Sequence, residues 1–341
     1  MSEVLGNLAY GFGIAFGAQN LLFCLIGVVL GTLVGVLPGL GPVATIAMLL
    51  PVTFTLEPVP ALIMLAGLYY GAQYGGSTTA ILVNIPGESS SVVTCIDGHQ
   101  MARQGRAGAA LTIAALGSFF AGTLSTAVVA AFSAPLVAIA NTFKSPDYFG
   151  LLVFGLIAAI VLAQGSVARS VAMVAAGLLL GSVGTDIASG QMRFTFGIGA
   201  LSDGIGFVPV AMGLFGITEI LINLEQKSQR SIGAVIGSLM PTKAEIKAAI
   251  PAVLRGTTVG SILGVLPGGG ALLSSFAAYA LEKKIAKDPS RFGKGAVEGV
   301  AAPEAANNAG AQTSFIPLLT LGIPSNPVMA IMVGAMMIHG I

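Results

Sequence analysis

"GVLPGLGP" (Gly35–Pro42) interrupts the first long aliphatic run of the chain with two prolines and three glycines, and "GVLPGGG" (Gly264–Gly270) interrupts a later one. Proline removes a backbone donor and glycine permits positive φ, so each stretch predicts an unwound helix. Gly35 and Gly264 stand 229 residues apart, and Pro38 and Pro267 keep that separation. A second pair follows: "YGGSTTAILVNIPG" (Tyr74–Gly87) and "NAGAQTSFIPLLTLGIPS" (Asn308–Ser325), with Pro86 and Pro324 separated by 238. Breakers that return with their flanking residues predict an internal repeat.

The surroundings of these breakers are apolar. Of 341 residues 55% are hydrophobic and 9% charged, with a mean hydropathy of +0.91, whereas soluble domains carry about a quarter charged residues. Membrane lipid is therefore the expected solvent. Segments of bilayer-spanning length fall at 19–37, 58–74, 107–133, 147–163, 167–183, 205–223, 248–266 and 311–338. Barrel strands would alternate apolar and polar residues, and "LLVFGLIAAIVLA" (Leu151–Ala163) does not. The expected fold is an all-α polytopic integral membrane protein.

A net charge of +1 leaves no basic face for nucleic acid. Cys24 and Cys95 lack metal-ligand spacing, and "MSEVLGN" lacks the basic region of a signal peptide, so the N-terminus is expected to be retained. "GFGIAFG" (Gly11–Gly17) resembles a dinucleotide fingerprint only in part, since no strand precedes it and its third-glycine spacing is wrong. With no Walker motif either, the expectation is not an enzyme, and no cofactor.

Lysine and arginine near span ends mark cytoplasmic loops. "LEKKIAKDPSRFGKG" (Leu281–Gly295) and "DGHQMARQGRAG" (Asp97–Gly108) read as cytoplasmic, whereas "TFTLEPVP" (Thr53–Pro60) has no basic residue and reads as external. The loops between matched breakers thus face opposite sides, the charge signature of inverted repeats. The expected units are a first repeat at 1–182, a connecting region with one span at 183–247, and a second, truncated repeat at 248–341. Residues 251–281 read as either one broken crossing or a re-entrant hairpin.

Irregular backbone survives at membrane depth only where protein buries it or it lines an aqueous cavity. Half-helix ends there present free N–H groups to an anion. The helix-breaking residues are Pro38, Gly39, Gly41 and Pro42, then Pro267, Gly268 and Gly269. Gly27, Gly31 and Gly35, with Gly177 and Gly181, are assigned instead to close helix packing. Polar residues beside the breakers form the candidate substrate site. In the first copy these are Gly76, Ser77, Thr78, Thr79, Asn84, Pro86, Gly87, Ser89 and Ser90. In the second they are Gln312, Thr313, Ser314, Pro324, Ser325 and Asn326. Glu304, in an otherwise uncharged stretch, is a candidate ligand for a coupling ion, Na+ or H+, with Asn307 and Asn308 beside it.

"GVLPGLGPVATIAMLLP", "YYGAQYGGSTTAILVNIPGE", "DGHQMARQGRAG", "APEAANNA" and "FIPLLTLGIPSN" together resemble the large membrane subunit of the tripartite tricarboxylate transporters, over nearly the whole chain. The resemblance implies a secondary transporter of the bacterial inner membrane for citrate-like carboxylates, driven by an ion gradient. It implies two partners, a small membrane subunit and a periplasmic solute-binding protein, and permits an elevator-like mechanism. The family subunit is longer than this chain, so a fragment lacking the final spans is expected. An uncoupled channel or facilitator and a non-transporting scaffold are the alternatives.

Overall fold

The computed structural model describes residues 2–37, 41–140, 166–186, 191–202, 204–205, 237–266 and 270–341, with scattered positions between 142 and 160 and at 210 and 221. The tips Pro38, Gly39, Pro267, Gly268 and Gly269, and most of the spans expected at 147–163 and 205–223, lie outside the described residues.

The first part of the chain forms α1 (Ser2–Ala15), α2 (Ala18–Gly35), α3 (Pro42–Thr53), α4 (Pro58–Val83), α5 (Val92–Arg103) and α6 (Ala107–Ala140). After α7 (Val167–Gly181) comes a two-residue bridge that pairs Gly184 with Arg193. There follow α8 (Lys243–Val265), α9 (Gly270–Ile285), α10 (Glu298–Thr313), α11 (Phe315–Leu321) and α12 (Pro327–Ile338). Among the described residues, α2, the 107–132 portion of α6, and α8 are long and apolar enough to cross a membrane. The chain is an all-α membrane protein.

Local chemistry sets the helix ends. Proline opens α3, α4 and α12, where its missing donor costs nothing. A capping box between Thr242 and Glu245 opens α8. Both α4 and α11 stop at a left-handed residue, Asn84 (φ 58°) and Gly322 (φ 67°), each followed by Ile-Pro. Proline cannot continue a helix, and the left-handed residue turns the chain out of it.

Small residues dictate the packing. On α2 the leucines at 21, 22, 25 and 33 point outward while Gly27, Gly31 and Gly35 are buried, the reverse of a water-soluble helix. A Cβ at those glycines would collide with the backbone carbonyls of Met64, Leu68 and Ala72 on α4. The same contact occurs between α8 and α10, where Gly256, Gly260 and Gly264 press on Ala302, Ala306 and Gly310. The glycines of the two sets differ by 229 residues throughout and their partners by 238. Such backbone-to-backbone seating is how membrane helices associate without a hydrophobic drive. Among the described residues Gly177 and Gly181 make no such contact: α7 buries none of its residues, and a Cβ at either glycine would meet nothing within 4 Å.

Around these two pairs, α10 packs against α6, α9 and α5, and α12 against α3 and α4. The second part of the chain is thus inserted into the first, with α10 almost wholly buried.

Candidate functional site

Each helix break falls at the C-terminal end of its breaker stretch. Gly75, Gly76, Ser77, Thr78 and Thr79 are helical, and α4 runs unbroken to Val83 before Asn84 turns it. Asn308 to Thr313 are likewise helical, and the sharp break falls at Gly322. Glycine in "YGG" serves approach instead of unwinding: Gly75 abuts Gly35 and Thr32, and Gly76 abuts the Gly87–Glu88 loop. The proposed single span at 311–338 is accordingly α11, a turn and α12.

At the first break, three backbone segments converge. Gly87 lies against the carbonyl of Gly35, the Cα of Gly76 and the hydroxyl of Thr79, and its amide donates to the Gly76 carbonyl (3.4 Å). Any side chain at 87 would separate the end of α2 from α4. Glu88 and Ser91 then cap the short turn into α5, and Ser90 donates to the Glu88 carboxylate. That turn packs on α9.

At the second break the convergence is made by side chains. Ser314 Oγ lies 3.1 Å from the Gly264 carbonyl and 2.6 Å from that of Gly310. Asn326 Nδ2 donates to Ser314 Oγ (3.0 Å), while its Oδ1 accepts from the Met329 amide (3.0 Å) and caps α12. Asn326 also packs on Gly270, held at φ +60° at the start of α9. Each break therefore touches the end of the glycine-laddered helix that precedes it, Gly35 in one case and Gly264 in the other.

Between the breaks, α10 carries a carboxylate into the seam. Glu304 is 1% exposed. Its Oε2 accepts from Ser77 Oγ of α4 (2.8 Å), and its Oε1 from Thr94 of α5. Its backbone carbonyl lies 3.3 Å from Ser118 Oγ of α6 and 3.1 Å from Asn308 Nδ2. Asn308 Nδ2 also reaches Ser118 Oγ (2.8 Å) and Asn307 Oδ1 (2.6 Å). Asn307 Nδ2, buried beside the Glu304 carboxyl, makes no hydrogen bond of normal geometry. The Gln73 side chain, close to Tyr69, and Ser325 Oγ are also buried without a partner. No ion pair of Glu304 is present among the described residues, nor a cluster of three or more His, Cys, Asp or Glu able to hold a metal.

A second buried carboxylate lies at the loop end. Asp97 Oδ1 accepts from the amides of Gly293, Gly295 and Ala296 (2.9, 2.8 and 2.8 Å), and Oδ2 from the Tyr279 hydroxyl (2.9 Å). This clip brings the two basic stretches, 97–108 and 281–295, to one end of the molecule, as their shared charge leads one to expect. Arg106 pairs with Glu245 (2.9 Å through Nε) and Arg291 with Glu298 (2.7 Å) around a recess of about 440 Å³ that Lys294 and Ser290 also line. Ser290 donates its hydroxyl and amide to Asp288 and holds that carboxyl below its usual value.

The structure thus gathers Ser77, Glu304, Asn307 and Asn308 into one cluster, and Ser314 and Asn326 into another, with Thr313 against Gly264. Gly76, Gly87 and Ser90 form the first break; Gly41 precedes the buried Pro42 at the start of α3. Others stand apart. Thr78 bonds its own helix at Tyr74 (2.9 Å), and Asn84, Ser89 and Pro324 are exposed. Gln312 and Pro86 are half-buried. Sequence reasoning missed Thr94, Ser118, Asp97 and Tyr279. Thr94 stands in an apolar stretch, "VVTCI", much as Glu304 does, and that isolation was the available signal.

A family model described as "Tripartite tricarboxylate transporter TctA family" matches residues 21–341. An "Uncharacterized 52.8 kDa protein in TAR-I ttuC' 3'region" of Agrobacterium vitis is 58% identical over 342 residues, covering 100% of this chain and 68% of that protein. An "Uncharacterized protein in TAR-II ttuC' 3'region" of the same organism is 68% identical over 82 residues, 24% of this chain and 34% of that protein. No solved structure matches the chain.

Proposed function

Because the chain belongs to the tripartite tricarboxylate transporter TctA family, we propose that it is the large membrane subunit of an ion-gradient-driven carboxylate uptake system. It works in the bacterial inner membrane as a multi-pass protein, with a small membrane subunit and a periplasmic solute-binding protein that delivers a citrate-like carboxylate. The chain has no chemistry to perform on that solute; it binds, encloses and releases it.

The observation that carries this reading is the doubled construction of the seam. Two glycine-laddered helix pairs, offset by 229 and 238 residues, are each followed by a left-handed residue and Ile-Pro, directly after α4 in the first and after α11 in the second, and a buried carboxylate lies between them. This supports two inverted repeats, the first within 1–182 and the second from 248, joined through 183–247. Breaks at corresponding points of two repeats are where transporters hold substrate. The Ser325 amide and the hydroxyl and amide side chains of Ser90, Ser314 and Asn326 at the breaks would donate to carboxylate oxygens, without a fixed cation to slow release. A coupling ion, Na+ or H+, would be taken at Glu304.

The test is uptake of labelled citrate by proteoliposomes holding the full-length subunit with both partners. Asn326→Ala removes a donor while leaving α12 to be capped by water, and it should weaken uptake by roughly tenfold or more, about 1.4 kcal/mol. Uptake unchanged in Asn326→Ala and in Gly87→Val would remove the breaks from the substrate path.

A further inference from the structure

The hydrogen-bond inventory around Glu304 has one hydrogen too few for an ionised carboxylate. Ser77 owns a single hydroxyl hydrogen, yet its Oγ lies within bonding distance of two acceptors, the Gln73 carbonyl (3.1 Å) and Glu304 Oε2 (2.8 Å). If Glu304 is ionised, Oε2 and the Gln73 carbonyl compete for that hydrogen and one contact is forfeited. If Oε2 carries a proton, Glu304 donates to Ser77 Oγ and Ser77 donates onward to Gln73, and both contacts are made. No cation pairs with Glu304 among the described residues, which points the same way, since a buried, unpaired carboxylate neutralises itself rather than remain charged.

We propose that Glu304 is the site at which the coupling proton is carried, with the Ser77 hydroxyl as the switch that registers it. The inference rests on the transporter reading above and chooses between the two ions it admits. On release the proton passes to water. Ser77 turns its hydroxyl from Gln73 to Glu304, and Asn307 Nδ2, buried beside the carboxyl without a partner, supplies a further donor to the new charge. A sodium ion has no equivalent place: it would have to enter between carboxylate and hydroxyl oxygens already in hydrogen-bond contact. Because Ser77 and Thr94 belong to the first part of the chain and Glu304 to the second, the proton changes the contact between the two.

The titratable groups close enough to feel this charge are Glu88, in the first break, and the Cys95 thiol on α5. Several others on the elements around α10 are engaged elsewhere. Arg255 of α8 is paired with Glu282 of α9 (2.6 Å), Tyr279 of α9 with Asp97 of α5, and His99 Nδ1 of α5 lies 3.1 Å from the Ile81 carbonyl. On α4, Tyr69 is buried and Tyr70 partly buried, with the Tyr70 hydroxyl enclosed and without a hydrogen-bond partner among the described residues. No side chain of α6 that touches α10 titrates; Ser118 is its polar contact.

Two measurements test the proposal on the full-length subunit with its partners. In proteoliposomes a pH gradient of one unit should concentrate citrate by about tenfold per coupled proton. Glu304→Gln should bring that ratio to about one and abolish the pH dependence of citrate exchange, while Glu304→Asp restores some of it. Independently of transport, infrared difference spectra should contain the carbonyl stretch of a protonated carboxylic acid that disappears in Glu304→Gln and shifts in Ser77→Ala. Accumulation that follows a sodium gradient and ignores pH, or spectra of wild type and Glu304→Gln that coincide at every pH, would overturn the proposal. A wild type that moves no carboxylate but retains the acid band would sink the transport reading and with it the coupling role, and the two failures are thereby told apart.

Discussion

Asp97 and Glu304 are both buried acids on the seam between the two parts of the chain, and their partners differ in kind. Asp97 receives three backbone amides and a phenol hydroxyl, four hydrogen bonds of 2.8 to 2.9 Å, and amides can only donate. Such a set suits an acceptor and nothing else. Glu304 receives only hydroxyls, which donate or accept as they turn. One acid is fixed in place as a clip; the other is surrounded by groups that tolerate either of its forms. Burial alone does not make a carboxylate functional, and the reversibility of its partners is what separates these two.

The largest expected effect comes from breaking the clip. Asp97→Ala strands three amides and a hydroxyl out of water, and unfolding in detergent should show a loss of about 3–5 kcal/mol. The 286–296 segment should also become cleavable by trypsin at Arg291 and Lys294. A loss no greater than that of an ordinary surface substitution would mean that the clip is dispensable. Tyr279→Phe removes one of the four bonds and keeps the edge-on contact of the ring with Phe292. It should cost about 1 kcal/mol. Glu304→Gln, which preserves shape and the ability to accept and donate, should cost less than about 1 kcal/mol despite the equal burial. If Glu304→Gln destabilised the protein as much as Asp97→Ala, the acid would be a second clip and the contrast would vanish.

The contrast was half visible in the sequence. Glu304 stands out because a charge among alanines and asparagines has to be accounted for, whereas Asp97, among the polar residues of "DGHQMARQ", reads as an interfacial acid at the start of a basic loop. Its partners are amides of residues nearly 200 positions away, and backbone groups leave no trace in composition. The fold shows the same division. The four-residue spacing of Gly27, Gly31 and Gly35 is a local signal and identified a packed face, and the return of Pro86 as Pro324 identified the second break. Gly177 and Gly181 share this spacing, but no described residue packs on them, since a glycine pair packs only where another helix arrives. Within "YGGSTTAILVNIPG" the break falls at its Asn84-Ile-Pro end. Gly75 and Gly76 relieve crowding from Gly35 and the 87–88 loop, which are near in space and remote in sequence. Asn84, not glycine, makes the turn.

The smallest effect belongs to a carboxylate with similar partners and no burial. Asp288 accepts from the Ser290 amide (3.0 Å) and hydroxyl (2.6 Å) in open water. Its carboxyl is held below the usual value by those bonds, Ser290's hydroxyl first. A folded-state value lowered in this way contributes stability that is present above the ordinary carboxylate range and lost as pH falls through the lowered value. Water screens the interaction and replaces the bonds when they break. Asp288→Asn should therefore leave the unfolding midpoint at neutral pH unchanged within error, with any difference from wild type shrinking further as the solution is acidified. The comparison isolates desolvation: Asp97 and Asp288 share hydrogen-bonding chemistry, and only the former has no water to fall back on. A large loss in Asp288→Asn would place that loop in a contact beyond the described residues, and the effect at Asp97 could then not be assigned to its burial.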